Sequence, residues 1–290
     1  MASDVEVSQL FRAAPDRMVE VAGGTAAAVR SIGTGPDVLF VHGWPVSGAT
    51  FRRVLPLLAG RARCHVVDLP GAGSSRFGPG SPLSVDLHIR SVRRVVDELE
   101  LDDVAVVGHD SGGLVARHAL AGDPRVRAVG LIDTEPSPDI GWRFRSFLRG
   151  SRLPGFGPTL GWLAGHRRLR RHPLVLGGAF HDSDLLDGDF DDLFLRPLHD
   201  DRLRRDAAVR IIRSFRSSFL SELPALHRRI EVPVHLVWGE HDVFFPVADA
   251  EAMVETFPDA TLSVVRGAGL FSHEERPREV AEALGRVAAR

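Results

Sequence analysis

Short, continuous apolar runs alternate with helix-like segments along most of this chain. The clearest runs lie at 38–41, 65–67, 104–107, 129–132, 234–238 and 262–265, and segments with helical spacing lie at 85–101, 114–121, 248–256 and 278–289. Strands that are apolar at every position need cover on both faces of a sheet. The sequence therefore predicts an α/β fold with a mostly parallel, doubly wound sheet.

The alternation stops between residues 135 and 226. Arg-rich and aromatic helical pieces follow one another there, separated by Gly and Pro, and the stretch at 153–158 is too rich in turn formers for a helix interior. We predict an α/β core formed by residues 1–134 and 227–290. The segment 135–226 is expected to form an inserted helical lid.

Composition limits the partners and the compartment. The 36 basic and 38 acidic residues leave a formal charge of −2, so charge alone does not attract nucleic acid. No apolar run approaches the roughly 20 residues of a membrane helix, and residues 1–6 lack the order of a signal peptide. The sequence predicts a cytoplasmic protein with a small-molecule substrate and neither nucleic acid nor membrane as partner. The oligomeric state stays open.

One cysteine, Cys64, lies within an apparent strand. A single cysteine excludes an internal disulfide and a metal cluster built from cysteines. We expect a buried thiol and predict neither a metal ion nor a cofactor.

The sequence VAVVGHDSGGL, which begins at Val104, has the order of a strand, a sharp turn and a helix. A turn of this kind presents a nucleophile at its tip, and the residues two before and two after it must be small because the two backbones nearly touch. Centring the turn on Asp110 puts Gly108 and Gly112 at those places, whereas centring it on Ser111 would put a histidine there. The spacing favours Asp110 as nucleophile over Ser111. A plain Gly-rich turn is the alternative.

Two other strand ends carry polar signals. The sequence HGWP at 42–45 follows the first strong strand, where the N–H of Trp44 can face the turn, and the N–H of Ser111 would complete an oxyanion hole. Asp242 follows a late strand, at the edge where α/β sheets assemble their sites.

Together these motifs resemble the α/β-hydrolase superfamily over nearly the whole chain. The elbow with Asp at its tip and the HGxP-type loop are similar to the branch of epoxide hydrolases and haloalkane dehalogenases. The resemblance implies that Asp110 attacks carbon to give an ester, and that a histidine oriented by Asp242 activates water to hydrolyse it. Glu135 lies where some relatives keep their acid.

The expected histidine is missing. The family pattern Gly-x-Gly-His runs GAGLFSHEERP here, which places Leu270 at the histidine position, where it would line the site. A leucine cannot accept a proton, so another base serves, or the ester is not hydrolysed in the family manner, or the chemistry differs. His273 is the nearest candidate base, and a surface histidine beside two glutamates is the alternative. Weaker candidates or lining residues are His42, His109, His235 and His241.

The absence of tyrosine is the second departure. The resemblance to epoxide hydrolases implies lid tyrosines that protonate the opening ring oxygen. A dehalogenase needs N–H donors for the halide, which Trp44, Trp142 or Trp162 can supply. The family's tryptophan or arginine next to the nucleophile is Ser111 here.

Three functions follow. The first is a hydrolase of a small, largely apolar substrate of the epoxide, halide or ester class, with Asp110 as nucleophile, Asp242 as orienting acid and His273 as base. The second is a non-hydrolytic isomerase, lyase or cyclase that uses Asp110 as general acid/base. The third is a non-catalytic ligand-binding protein. Leu270 favours the last two, while the elbow and Asp242 oppose the third.

Overall fold

One eight-stranded sheet runs through the molecule, in the order β1-β2-β4-β3-β5-β6-β7-β8. The computed structural model describes residues 10–136 and 140–288. The strands are β1 Arg17–Glu20, β2 Ala26–Gly33, β3 Asp37–Val41, β4 Arg63–Asp68, β5 Val104–His109, β6 Val126–Ile132, β7 Val234–Gly239 and β8 Ala260–Val265. β2 pairs antiparallel with β1 and β4, and every pair from β4 to β8 is parallel. The predicted mostly parallel sheet is confirmed.

Helices cover the sheet and fill the long connection between β6 and β7. They are α1 Leu55–Leu58, α2 Val85–Glu98, α3 Ser111–Leu120, α4 Trp142–Ser151, α5 Phe156–Gly165, α6 Arg167–Arg170, α7 Arg196–Asp200, α8 Arg202–Arg213, α9 Ser218–Ser221, α10 Leu223–His227, α11 Val247–Val254, α12 Ser272–Glu275 and α13 Pro277–Ala288. Short 3₁₀ turns lie at Gly48–Arg53, Leu176–Ala179 and Ser183–Leu186, and a π-helical turn lies at Asp191–Leu195.

Successive residues of the central strands enter different cores, one on each face of the sheet. Leu39 and Val41 of β3 pack in the larger core, whereas Val38 and Phe40 pack in the second one with α1 and α13. This explains why these strands are apolar at every position. β8 departs from the pattern because it is the edge strand, and Val264 there is 43% exposed.

The segment inserted between β6 and β7 lies on the loops that follow β3 and β4. The indole Nε1 of Trp44 donates to the carbonyl of Ala208 in α8 over 2.9 Å. Arg204 and Arg210 of the same helix donate to the carbonyls of Gly73 and Pro79, each over 2.8 Å. The inserted helices thus face the carboxyl ends of the parallel strands, the edge where a site is expected.

Two further sequence predictions concern single features. Cys64 in β4 is fully buried, and burial raises the pKa of its thiol to about 12, so the thiol is protonated and unreactive. None of the helices in the described ranges is both long enough and apolar enough to cross a membrane.

Candidate active site

The turn between β5 and α3 is centred on Asp110. Its φ is +49° and its ψ −135°, a backbone conformation that residues other than glycine rarely adopt. A Cβ on Gly108 would lie 2.5 Å from the Cα of Gly113, and one on Gly112 would lie 2.2 Å from the carbonyl oxygen of Val41. Only glycine fits at both places. The contacts explain why the sequence places small residues two before and two after Asp110.

Two main-chain N–H groups act on the carboxyl group of Asp110. The N–H of Trp44, in the loop after β3, donates to Oδ2 over 2.8 Å, and the N–H of Ser111, the first residue of α3, also favours the charged form. The side chain is buried, with 7% of its residue surface exposed. The two donors predicted from the sequence thus converge on one carboxyl group.

Burial controls the ionisation of Asp110. It raises the pKa of this carboxyl well above its ordinary value, and the charges of Glu135 and Asp242 act in the same direction. The N–H groups of Trp44 and Ser111 lower it in part. A group with these surroundings keeps a proton more readily than an exposed aspartate does.

Asp242 lies in the loop after β7 and has one satisfied oxygen and one unsatisfied oxygen. Its Oδ1 accepts the N–H groups of Phe244 and Phe245 over 2.8 and 3.0 Å. Its Oδ2 is buried and has no hydrogen-bond partner among the described residues. Burial raises the pKa of Asp242 to about 7, against the effect of the two N–H groups.

Leu270 lies on the loop between β8 and α12, which contacts both the residue before Asp110 and the Asp242 loop. Its carbonyl accepts a hydrogen bond from Nε2 of His109, the neighbour of Asp110, over 2.9 Å. One residue earlier, Gly269 packs directly against Gly239, and His241 donates its N–H to Ala268. The Leu270 side chain is buried. A buried apolar residue therefore stands on a loop whose main chain contacts both the residue before Asp110 and the loop that carries Asp242.

His273 is buried in the core and is not the surface histidine that the alternative interpretation expects. Its Nε2 lies 2.8 Å from the hydroxyl of Thr50, and its ring centroid lies 4.3 Å from that of His109. Its described contacts include neither Asp110 nor Asp242. Burial lowers the pKa of His273 well below its ordinary value, and His109 adds to the effect. These surroundings favour the neutral ring, whose Nδ1 is buried without a hydrogen-bond partner among the described residues.

The tryptophans expected to assist a leaving group are placed elsewhere. Trp142, at the start of α4, is 67% exposed, with the guanidinium of Arg143 over its ring. The helix instead turns Phe144 and Phe147 inward, because residues three apart share a face. Trp142 therefore lies at the surface of this structure, and its contact with substrate stays a prediction. Trp162 is also exposed, at 49%.

Three further histidines from the sequence analysis, His42, His235 and His241, have partners away from Asp110. His42 lies 2.8 Å from the carbonyl of Gly43 through Nδ1 and accepts the N–H of Leu69 through Nε2. His235 contacts the hydroxyls of Thr261 and Ser263. His241 is exposed and stacks on His181. None of these contacts includes Asp110.

Sequence reasoning missed two residues behind the turn. Asp133, after β6, is fully buried at a φ of +39°, and its oxygens accept the N–H of Gly239 over 2.6 Å and the hydroxyl of Ser272. Arg117 of α3 donates to Thr134 and to the carbonyl of Glu135 over 2.9 and 2.8 Å. Two sequence features could have identified these residues: the carboxylate of Asp133 directly follows a strand, and Arg117 lies within an apolar helix.

Little open space adjoins the Asp110 carboxyl. A cavity of about 30 Å³ lies beside Trp44 and Ser111, closed by Ala208 and Ile211 of α8. Larger cavities of about 290 and 520 Å³ lie elsewhere and include neither Asp110 nor Asp242 among their lining residues. Across residues 10–136 and 140–288, no three His, Cys, Asp or Glu side chains are grouped as a metal site would require.

Comparison with known proteins shows that this chain is similar to hydrolases. The family model of the alpha/beta hydrolase fold matches residues 36–277. The pimeloyl-[acyl-carrier protein] methyl ester esterase of Chromobacterium violaceum is 27% identical over 268 residues, which are 85% of this chain and 93% of that protein. A haloalkane dehalogenase of Mesorhizobium japonicum is 32% identical over 173 residues, 55% of this chain and 54% of that protein.

Solved structures agree on the fold. The haloalkane dehalogenase DbeA of Bradyrhizobium elkani has a TM-score of 0.78 at 22% identity and covers 94% of this chain and 97% of its own. A thermophilic esterase of Thermogutta terrifontis has a TM-score of 0.72 at 20% identity and covers 93% and 96%. The strand order, the turn at Asp110 and the family match lead to one conclusion: this chain belongs to the α/β-hydrolase family.

Proposed function

We propose that this enzyme hydrolyses small, largely apolar electrophiles and that Asp110 is its nucleophile. The observation that carries the proposal is the carboxyl group at the tip of the strained turn, with Oδ2 held by the N–H of Trp44 at 2.8 Å. The other oxygen attacks a carbon atom of the substrate. A carbon–oxygen bond forms, the bond to the leaving group breaks, and the product is an ester of Asp110.

The two main-chain donors serve both steps of such a reaction. The N–H groups of Trp44 and Ser111 favour the ionised carboxylate that attacks. Once the ester has formed, the same donors face its carbonyl oxygen, where negative charge develops when water attacks. The inserted segment 135–226 acts as the lid in this proposal, because α8 contacts Trp44 and closes the space beside it.

The contacts of the tryptophans limit which substrates the proposal favours, because their indole N–H groups are not directed to a leaving group near Asp110. The indole N–H of Trp44 is donated to Ala208 and that of Trp238 to Phe245, while Trp142 and Trp162 are largely exposed. The chain also has no tyrosine. Methyl esters and haloalkanes are the substrate classes that the names of relatives indicate. We favour substrates whose leaving group departs without an indole or phenol donor.

The second step of the proposed reaction is hydrolysis of the ester on Asp110, and the residues for this step depart from the family pattern. Leu270 stands where the resemblance places the base, and His273 contacts Thr50 instead. In this proposal the ester on Asp110 forms and is released slowly, because no imidazole activates water beside it.

Intact-protein mass spectrometry tests the proposal. The protein is incubated with a panel of alkyl bromides and terminal epoxides, and Asp110→Asn is the matched control because its amide has nearly the same shape but cannot attack carbon. With a bromide, which departs as bromide ion, we expect the wild-type mass to rise by the alkyl group less one hydrogen. With an epoxide, whose oxygen takes up a proton and stays on the adduct as a hydroxyl, we expect it to rise by the mass of the whole epoxide. No increase is expected on the variant. An adduct on both proteins, or on neither, contradicts an Asp110 nucleophile.

A second candidate is non-hydrolytic chemistry with Asp110 as general acid. The raised pKa of Asp110 and the absence of an imidazole contact among the described residues favour it, since a carboxyl group that holds its proton more firmly can keep one to donate to a substrate. In that case a substrate is converted to an isomer or an elimination product without any adduct. Binding without conversion would indicate the ligand-binding alternative.

A further inference from the structure

Residues 141–181 of the inserted segment differ in composition from the rest of the chain. They include eight arginines and no aspartate or glutamate, whereas the whole chain has 38 acidic residues among 290. Eight large apolar side chains in the described ranges are exposed, and five of them lie here: Trp142, Leu153, Trp162, Leu169 and Leu174. Positive charge and exposed apolar surface therefore coincide in one part of the molecule.

Helix α4 turns basic and aromatic residues to solvent. The exposed residues Trp142, Arg145 and Arg149 lie three or four positions apart and therefore share one side of the helix. Phe144 and Phe147 pack inward from the other side. Trp142 is 67% exposed. The outer side of α4 is thus both aromatic and basic.

Helix α5 and the turn after α6 continue this surface. α5 has no charged residue, and it packs Leu160 inward while Trp162 stays 49% exposed. Nη1 of Arg143 donates to the carbonyl of Pro173 over 3.1 Å, which places the start of α4 beside the turn that carries Leu174. A surface helix usually has charged residues on its outer side, so exposed apolar residues here indicate contact with something other than water.

The acidic loop that follows the segment neutralises only some of the arginines. Asp187 forms ion pairs with three arginines in and directly after α6, namely Arg167, Arg170 and Arg171. Four other arginines of the segment have no acidic partner among the described residues: Arg143, Arg149, Arg152 and Arg168. We call these four arginines and the five exposed apolar residues the insert face.

We propose that the insert face binds the surface of an anionic lipid bilayer. Negatively charged headgroups attract arginines that lie close to them. Tryptophan favours the boundary between headgroups and acyl chains, and leucine side chains leave water when they enter it. Arginine can bury its apolar stem in this boundary while its charge stays at the headgroups.

Single apolar side chains that project from short helices favour lipid over an acidic protein as the partner. A protein offers pockets at fixed positions, whereas a bilayer accepts such side chains wherever they enter it. The prediction from the sequence that no membrane is a partner rests on the lack of a run long enough to span a bilayer. Binding at the surface needs no spanning helix, so the inference departs from that prediction.

The inference goes beyond the proposed function and does not depend on Asp110 as nucleophile. Helix α8 of the same inserted segment contacts Trp44, whose N–H holds Asp110. Small apolar substrates concentrate in lipid, so an enzyme held at a bilayer meets them there.

Co-sedimentation with lipid vesicles tests the inference. One set of vesicles contains equal parts of phosphatidylcholine and the anionic phosphatidylglycerol, and the other contains phosphatidylcholine alone. At low salt we expect the partition coefficient of the wild type to be at least about tenfold higher for the anionic vesicles, and to fall as added salt screens the headgroups. Equal partition to both sets, or no binding to the anionic vesicles at low salt, would overturn the inference.

Arginine variants locate the charge effect. Arg149→Gln combined with Arg168→Gln is expected to lower the partition coefficient for anionic vesicles at least about fivefold. The matched control is Arg266→Gln combined with Arg278→Gln, which changes two exposed arginines outside the inserted segment. Its partition coefficient is expected to stay within about twofold of the wild type. An equal loss in both double variants would indicate an effect of net charge and would overturn the inference.

Tryptophan variants test insertion into the bilayer. Trp142→Ser combined with Trp162→Ser is expected to lower the partition coefficient at least about fivefold. The control, Leu57→Ser combined with Val264→Ser, removes two exposed apolar side chains elsewhere and is expected to stay within about twofold of the wild type. Melting curves verify that each variant is folded. Wild-type partition in either the folded arginine variant or the folded tryptophan variant would overturn the inference.

A soluble acidic polymer distinguishes lipid from protein as the partner. Polyglutamate is titrated into the wild type without vesicles, and binding is followed by calorimetry. Binding to polyglutamate together with failure to bind anionic vesicles would indicate an acidic protein and overturn the inference. Adducts on Asp110 are scored in a different experiment, so failure of the proposed function and failure of this inference are distinguishable.

Discussion

The turn at Asp110 and the loop at Leu270 meet at one edge of the sheet, yet they differ in what they retain. The turn has its small flanking residues, its strained φ and the donor from Trp44. The loop keeps its packing against Gly239 but has leucine where the family resemblance places an imidazole. The difference indicates that the backbone of such a site can persist when one catalytic group is replaced, because the contacts that shape it are mainly main-chain contacts.

Restoring an imidazole to the loop gives the largest expected effect. Leu270→His puts a base at the position that the family resemblance gives to the catalytic histidine, and we expect the unpartnered Oδ2 of Asp242 to orient it. General base catalysis contributes about 10²–10⁴-fold, so release of an alkyl group from Asp110 is expected to accelerate by that factor. Time-resolved intact-mass measurements provide the rate. Leu270→Gln, which is polar but not basic, is the control, and equal acceleration in both variants would argue against base catalysis.

The ionisation of Asp242 predicts a pH-dependent change in stability. Burial raises its pKa from 3.8 to about 7, so the folded protein keeps a proton that the unfolded chain releases. The free energy of unfolding contributed by this group therefore falls as pH rises from about 4 to 7. Asp242→Asn removes this loss while its amide oxygen still accepts the N–H groups of Phe244 and Phe245.

We expect Asp242→Asn to be more stable than the wild type at pH 8, by up to about 4 kcal/mol at 1.36 kcal/mol per pKa unit, and nearly equal to it at pH 4. Urea unfolding of both proteins at the two pH values measures the difference. The same difference at both pH values would show that ionisation of Asp242 is not its cause.

Removing His273, which lies in α12 directly after the Leu270 loop, is expected to lower stability and to leave catalysis unchanged. His273→Ala removes the hydrogen bond to Thr50 and the ring contacts with His109 and Phe51. We expect a loss of about 2–4 kcal/mol in the free energy of unfolding, as for other large-to-small changes in a core. The lifetime of an adduct on Asp110 is expected to stay the same.

His241→Ala is the matched control for His273→Ala. His241 is exposed, and its removal is expected to change the free energy of unfolding by less than about 0.5 kcal/mol. A longer adduct lifetime in His273→Ala alone would identify His273 as the working base and would contradict the structural role given to it here.

The sequence was sufficient to predict the sheet, the turn and the two donors to Asp110, because each depends on local pattern. Apolar runs identify buried strands, and only small residues fit two positions from the tip of the turn. Such reasoning does not reach the exposure of Trp142, because an aromatic residue in an inserted helix has no local signal for the face it takes. The buried position of His273 depends on contacts with Thr50, 223 residues away in the chain.

The hydrogen-bond partners of Asp133 and Arg117, behind the Asp110 turn, also could not be predicted from local sequence pattern. Asp133 and Arg117 have no motif around them that indicates their partners, and each bonds groups that are distant in sequence or on another element. Leu270 was identified from the resemblance, but its neighbours were not. The contact of its carbonyl with His109 and the packing of the preceding residue against Gly239 became visible only with the loops in place.

The most direct test of this account is the fate of an alkyl group on Asp110 in the wild-type protein. After brief exposure to an alkyl bromide and removal of the excess, the intact mass is followed over hours, and peptide mapping locates the alkyl group. The account predicts that the mass increase lies on Asp110 and persists, since no imidazole within residues 10–136 and 140–288 has a hydrogen bond to this carboxyl. Rapid return to the unmodified mass in the wild type, or an adduct on another residue, would contradict it.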